Sequence, residues 1–311
     1  MKKPLVVVVV GPTASGKTSL AIEIAKKYNG EIVSADSMQI YKKMNIATAK
    51  PTEDELSQVK HHMISIIDAD EEFSVAMYKA KAIEIIKEIL DRGKLPIVAG
   101  GTGLYIDTLI NNTTFLDYGK TDIREKLEKE AEEKGIESLY EKLREIDPET
   151  HSRLHINDRK RIIRALELYY ATGRTISEQD ELSHLNESEF NWCVVGLNAE
   201  NRQILYDRIN LRVDIMLEEG LIKEAEEFFS SDISKTAKQA IGYKELKPYL
   251  DGLVSLETAI DKLKMETRRY AKRQLTWFRR NEKINWINID CICDEPLVLK
   301  ASEIIDIHSG D

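Results

Sequence analysis

The run Leu5-Val-Val-Val-Val-Val10, followed without a break by Gly11-Pro-Thr-Ala-Ser-Gly16-Lys17-Thr18 and then by Leu20-Ala-Ile-Glu-Ile-Ala25, leaves a chain few folds to choose from. Apolar, mostly β-branched residues without polar alternation read as a strand buried on both faces, which belongs in a parallel sheet covered by helices. The residues after it match G-x-x-x-x-G-K-T. In that loop the glycines let successive backbone N–H groups turn toward phosphate oxygens, the following helix adds its positive end, and Lys17 adds a full charge. Thr18 can hold a magnesium ion. The loop does not say which phosphorylated molecule it grips.

The next strand ends at Ser34-Ala-Asp36, and in doubly wound sheets ligands lie outside the carboxyl ends of the strands. Asp36 therefore shares a rim with the phosphate loop. From the residues alone it is a general base, a magnesium ligand or a helix N-cap. Leu95-Pro-Ile-Val-Ala-Gly100-Gly-Thr102-Gly103 delivers a third strand end to that rim. An ordinary phosphate-loop ATPase commonly carries an acidic residue there; this chain has glycines that allow close backbone approach and a threonine hydroxyl.

Between these landmarks Thr52-Glu-Asp-Glu55 reads as a helix start, and Met63-Ile-Ser-Ile-Ile67 as a strand preceded by His61-His62. Adjacent histidines on an extended chain point to opposite sides, which favours packing or hydrogen bonding over metal ligation. Ser74 to Leu90 has helical apolar spacing. From Tyr118 to about Asn191 the chain turns Glu- and Lys-rich, with helical periodicity and no strand run, until Asn191-Trp-Cys-Val-Val-Gly-Leu197 resumes the sheet. The expected organisation is a core of residues 1–117 and 192–311 interrupted by an all-helical insertion, residues 118–191. Further on, Arg208 and Arg212 lie on one helix face, spaced either to fork around phosphate oxygens or to pair with nearby glutamates.

Charge then separates the functional classes. A net charge of −9 argues against indiscriminate nucleic-acid binding, yet the local field is what a polyanion meets. From Asp261 to Lys283, nine basic and three acidic residues leave +6, interleaved with Tyr270, Trp277 and Phe278. Arg153 to Arg164 carries five basic residues and one acidic, +4. The first of these suits RNA-backbone contact on its basic side with most aromatics packed inward. No apolar run approaches the ~20 residues of a membrane helix, and the start lacks a secretory cleavage site. Cys193, Cys291 and Cys293 make neither a disulfide framework nor a zinc site, so all three are read as structural, in a reducing cytoplasm.

Taken in order, Gly11-Pro-Thr-Ala-Ser-Gly-Lys-Thr18, Ser34-Ala-Asp-Ser-Met-Gln-Ile-Tyr41, Ala47-Thr-Ala-Lys-Pro51, Gly100-Gly-Thr-Gly-Leu-Tyr105 and Ala271-Lys-Arg-Gln-Leu-Thr-Trp277 closely resemble the bacterial tRNA dimethylallyltransferases. The resemblance implies an α/β fold, a P-loop-type parallel sheet flanked by helices with the helical insertion. The activity it implies is transfer of a dimethylallyl group from dimethylallyl diphosphate to N6 of the adenosine 3′ of the anticodon in tRNA, releasing pyrophosphate. It implies Asp36, Thr102, Lys17 and Arg212 as catalytic residues. Gly11, Thr13, Ala14, Ser15, Gly16, Lys17, Thr18 and Arg212 would bind the diphosphate, with Mg2+ on Thr18. The tRNA anticodon stem-loop would meet Asp36, Ser37, Met38, Gln39, Thr102, Lys160, Arg161, Arg164, Lys272, Arg273, Gln274, Trp277 and Arg279. The protein is expected to be a cytoplasmic monomer without membrane contact. The rival readings are a small-molecule kinase, a prenyltransferase acting on free adenine nucleotides, and an RNA-binding regulator with an inactive nucleotide site.

Overall fold

The computed structural model describes residues 2–116, 118–119, 121–185, 187–291 and 296–310. It forms two compact units, Met1–Thr108 with Glu189–Asp311, and Leu109–Ser188. The first is built on a parallel sheet of β1 (Leu5–Val10), β2 (Gly30–Ser34), β3 (His61–His62), β4 (Leu95–Gly100), β5 (Asn191–Asn198) and β6 (Asn285–Asn288), in the order β3-β2-β4-β1-β5-β6. β1 is central, which is why Val6 to Val10 are at most 1% exposed. Its helices are α1 (Lys17–Lys27), α2 (Glu53–Gln58), α3 (Val75–Asp91) and α4 (Gly103–Ile110), the last running on into the second unit. The second unit continues with α5 (Ile123–Lys134), α6 (Ile136–Ile146), α7 (Pro148–Arg153), α8 (Arg159–Thr172) and α9 (Ile176–Leu185). The first resumes with α10 (Arg202–Glu218), α11 (Leu221–Phe229), α12 (Tyr243–Leu250), α13 (Leu256–Phe278) and α14 (Leu297–Ser309).

Helix starts follow from local chemistry. Thr52 and Glu55 form the reciprocal capping box of α2, and the hydroxyls of Ser74 and Ser255 accept backbone N–H groups at the starts of α3 and α13. On the sheet, α1 and α14 cover the face carrying Val7 and Val9. A separate apolar cluster joins α10 to α13 and includes Ile40, Met44, Val213, Leu221 and Tyr243. The second unit has its own core around Leu139, Leu143, Ile162 and Leu166.

The strand expected at 63–67 is not there. His61 and His62 form β3, while Met63 (φ 62°) and Ser65 (φ 54°) adopt left-handed backbone that no strand can continue through. Ile66 N instead donates to Ile40 O and Lys42 N to Ile67 O, folding the segment against residues 39–42. His61 Nδ1 lies 2.8 Å from Val59 O and His62 Nε2 2.7 Å from Glu31 Oε2, so both histidines are hydrogen-bonded. Cys193 is a buried free thiol whose burial pushes it up to about 12; the side chains of Cys291 and Cys293 lie outside the described residues.

Candidate active site

The phosphate loop starts where β1 meets α1. Gly11 sits so close to β5 that a Cβ would lie 2.8 Å from Leu197 O, and Gly16 has φ +91°. Ala14 also takes left-handed backbone (φ 63°), a conformation that costs a non-glycine residue roughly 1–2 kcal/mol. The loop is tied from outside: Thr13 N donates to Gln274 Oε1 at 2.8 Å, and Gln274 Nε2 donates to Gly101 O at 2.9 Å. Lys17 Nζ donates to Pro12 O at 2.7 Å. Ser15 is buried, its hydroxyl without a hydrogen-bond partner among the described residues.

Two cavities of the first unit meet at Lys17, Thr18 and Arg212. One, about 310 Å³, has a polar end at Thr13, Lys17, Thr18, Asp36 and Arg212 and an apolar side at Val213, Met216, Leu221, Ile241 and Leu263. The other, about 290 Å³, runs along the outer side of the loop past Ser19, Lys50 and Thr52. Burial, and then the neighbouring Arg212 charge, pull Lys17 down to about 8 against the opposing pull of Asp36. Arg212 is likewise lowered by burial, with Asp36 acting the other way. Arg208, on the same helix, lines neither cavity.

Asp36 stands just past β2. Its Oδ1 accepts Met38 N at 2.9 Å and Gln39 N at 3.3 Å, while Oδ2 has no hydrogen-bond partner among the described residues. One oxygen thus fixes the following turn, in the manner of a cap, and the other is left for the cavity. Thr102 braces that turn: its Oγ1 accepts Ser37 N at 3.0 Å and its N donates to Ala35 O at 3.1 Å. The approach needs Gly100, where a Cβ would fall 2.2 Å from Ala35 O.

Helix α13 closes the cavity with Thr267, Tyr270, Arg273 and Gln274. Tyr270 was not among the expected site residues. Burial, reinforced by the Asp36 charge, raises its hydroxyl, and the one signal for it in the sequence is an aromatic set in a basic helix. Lys272, Arg273 and Arg279 are exposed, as the basic-side reading requires. Gln274 lines the cavity and is 5% exposed, with both ends of its amide engaged inside. Gln39 is similar, donating to Thr48 O and Ala49 O and accepting from Ser34 Oγ. Trp277 donates to Asp107 Oδ2 at 2.7 Å and packs where a Gly103 Cβ would stand, leaving Arg280 over its face at 4.1 Å.

In the second unit, Lys160 and Arg161 are exposed on α8. Arg164 bonds the largely buried Glu167 at 3.1 Å and lies over the Tyr118 ring at 5.2 Å. Among the described residues, no group of three or more His, Cys, Asp or Glu side chains converges as a metal cluster.

A family profile described as IPP transferase matches residues 39–281, and one described as isopentenyl transferase matches residues 4–68. The tRNA dimethylallyltransferase of Acetivibrio thermocellus is 53% identical over 298 residues, 95% of each chain. That of Caldanaerobacter subterraneus is 50% identical over 92% of each. Among solved structures, the full-length tRNA isopentenylpyrophosphate transferase of Bacillus halodurans superposes with a TM-score of 0.72 at 44% identity, over 99% of this chain and 96% of that one. A eukaryotic dimethylallyltransferase described as acting on tRNA gives a TM-score of 0.84 at 30% identity, over 99% and 80%.

Proposed function

The chain belongs to the IPP transferase family, and on that premise we propose that it transfers a dimethylallyl group from dimethylallyl diphosphate to N6 of the adenosine 3′-adjacent to the anticodon in tRNA, releasing pyrophosphate. The observation that carries the reading is the unpartnered Oδ2 of Asp36 in the same cavity as Lys17, Thr18 and Arg212. An exocyclic amine is a weak nucleophile. As its bond to C1 of the prenyl group forms, the C1–O bond to the diphosphate breaks, and the electron pair leaves with pyrophosphate. The N6 proton passes to Asp36 Oδ2, a general-base contribution of about 10²- to 10⁴-fold. Charge gathering on the diphosphate meets the loop N–H groups, Lys17 and Arg212, already oriented before reaction. Thr102 acts through Ser37, holding the turn that aims Asp36.

Magnesium, when bound, neutralises diphosphate oxygens. Thr18 is the residue that would hold it: it lines both cavities, and its hydroxyl makes no hydrogen bond among the described residues. One hard oxygen from the protein suits an ion that keeps several waters and takes its remaining ligands from phosphate. The target base is stacked in its loop and is flipped out to reach Asp36. Ser37, Met38, Lys272, Arg273 and Arg279 of the first unit, with Lys160, Arg161 and Arg164 of the insertion, are the RNA contacts in this reading. The protein works as a cytoplasmic monomer; no helix among the described residues is long and apolar enough to cross a membrane.

The test is to incubate the full-length protein, magnesium and labelled dimethylallyl diphosphate with unmodified tRNA, with AMP in a parallel arm. Label on the adenosine next to the anticodon upholds the reading. Label on AMP alone, or transfer from labelled ATP without tRNA, replaces it with the nucleotide prenyltransferase or the kinase.

A further inference from the structure

One wall of the larger cavity is a loop, Ala47-Thr48-Ala49, that belongs to no regular element. Gln39 Nε2 holds its carbonyls, donating to Thr48 O at 3.2 Å and Ala49 O at 3.1 Å, and one carboxylate holds the N–H groups that lead into it. Glu224 on α11 accepts Asn45 N at 2.9 Å and Ile46 N at 2.8 Å through Oε2, and Ala47 N at 2.9 Å through Oε1, which also accepts Tyr243 Oη at 2.8 Å. Three consecutive backbone N–H groups and a phenol thus converge on one side chain from an element remote in sequence. The opposite wall is fixed in a similar way. Buried Glu245 accepts Gly242 N at 2.9 Å, and Gly242 faces the loop so closely that a Cβ there would stand 3.0 Å from Ala47 Cβ and 4.0 Å from Leu221 Cδ1. Ala47, Gly242 and Leu221 therefore converge at the apolar side of the cavity, next to Val213, Met216 and Ile241. Val213, Met216 and Leu221 ride on α10 and α11 in the apolar cluster that joins α10 to α13, whereas Ala47 belongs to a loop and Ile241 and Gly242 to the turn before α12.

We propose that Glu224 is a positioning residue that sets the depth of the apolar side and so limits the donor to a five-carbon prenyl group. This rests on the reading that a prenyl diphosphate occupies this cavity. With the carboxylate in place, Ala47 stands against Gly242 and shortens the space a prenyl chain can fill. With it removed, the three N–H groups turn to water, the loop retreats and a ten-carbon chain fits. The chemical step is unchanged: C1–O breaks, C1–N6 forms, pyrophosphate takes the electron pair and Asp36 the proton. Glu224 touches no reacting atom, so its signature is a change of donor preference.

The experiment measures kcat/KM for dimethylallyl diphosphate and for geranyl diphosphate with full-length protein, magnesium and unmodified tRNA. In Glu224→Gln, which keeps the shape but leaves one acceptor oxygen, the ten-carbon to five-carbon ratio is expected to rise about 10-fold or more, the range in which a small change of apolar fit discriminates substrates. Tyr243→Phe removes one of the four donors and keeps the ring stacked 4.0 Å from Phe228; it moves the ratio less, in the same direction. Ala47→Gly, which deletes the wall methyl, raises it without touching the clamp. If Glu224→Gln does not fold, Tyr243→Phe and Ala47→Gly decide. A ratio equal to the wild type in folded variants, including an equal loss with both donors, overturns the proposal. Failure of the wild type with both donors overturns the underlying reading instead.

Discussion

Strand β2 and the turn beyond it carry two carboxylates, Glu31 at the amino end and Asp36 past the carboxyl end, and the molecule treats them in opposite ways. Glu31, 2% exposed, has every oxygen engaged by cationic or protonatable partners: Arg92 Nη2 and His62 Nε2 at 2.7 Å on Oε2, and Lys94 Nζ at 2.9 Å on Oε1, with Lys60 at 4.0 Å. Burial by itself would push this carboxyl up, but the hydrogen bonds from His62, Lys94 and Arg92 hold it down at about 2. Asp36 keeps one oxygen engaged by backbone and one open to a cavity. A saturated charge at one end of a strand stabilises the fold; a half-saturated charge at the other end is available for chemistry. The parallel sheet makes the division, because strand ends that face the phosphate loop gather on one rim only.

That comparison is breakable at both ends. The largest effect is expected from Asp36→Asn, with turnover on tRNA falling about 10²- to 10⁴-fold while the melting temperature and tRNA affinity stay near wild type; retained turnover in a folded variant would remove Asp36 from the chemistry. Glu31→Gln should do the converse. It leaves several cations around a neutral amide, and breaking a buried ionic cluster costs about 3–5 kcal/mol, read by urea denaturation, with turnover per folded molecule unchanged. An activity loss there without loss of stability would dissolve the contrast.

The acid limb of stability sharpens the same point. Glu31 has a lowered folded-state value, so its contribution is present above the ordinary value of 4.5 and is lost as pH falls from there through about 2. The amount is on the order of 3 kcal/mol, and Glu31→Gln should flatten that part of the stability-against-pH curve. The smallest effect belongs to Gln274→Leu. It leaves Thr13 N and Gly101 O unpartnered at a cost of about 1–3 kcal/mol, and because Thr13 sits in the phosphate loop, KM for the prenyl diphosphate should rise more than kcat falls. Steady-state kinetics with saturating tRNA check it.

Much of this architecture is legible in the chain. Valine runs, the glycine-lysine loop, the capping residues Thr52 and Ser74, and the helical charge pattern of residues 123–172 are local signals, and each appears as the element it announces. The segment 63–67 shows where locality fails. Its apolar letters suit a strand, yet hydrogen bonds from Ser65 N to Gln39 O and from Ile66 N to Ile40 O bend it into left-handed turns. Gln274 shows the same limit: nothing local to its basic helix announces that its side chain reaches a loop 261 residues away in sequence.

By itself, then, the order of residues determined that a phosphate-gripping loop would follow a buried central strand, that Asp36 and Thr102 would arrive on the same rim, and that positive charge would concentrate on one late helix. Spacing of a few residues suffices for that, since periodicity, capping and turn chemistry act over single turns. Only the tertiary structure decided which oxygens stay free. Glu31, Glu224 and Asp36 are all carboxylates, and what separates one whose oxygens are all engaged from one that keeps an oxygen open to a cavity is the set of partners that distant segments bring to each one, together with the water that burial removes.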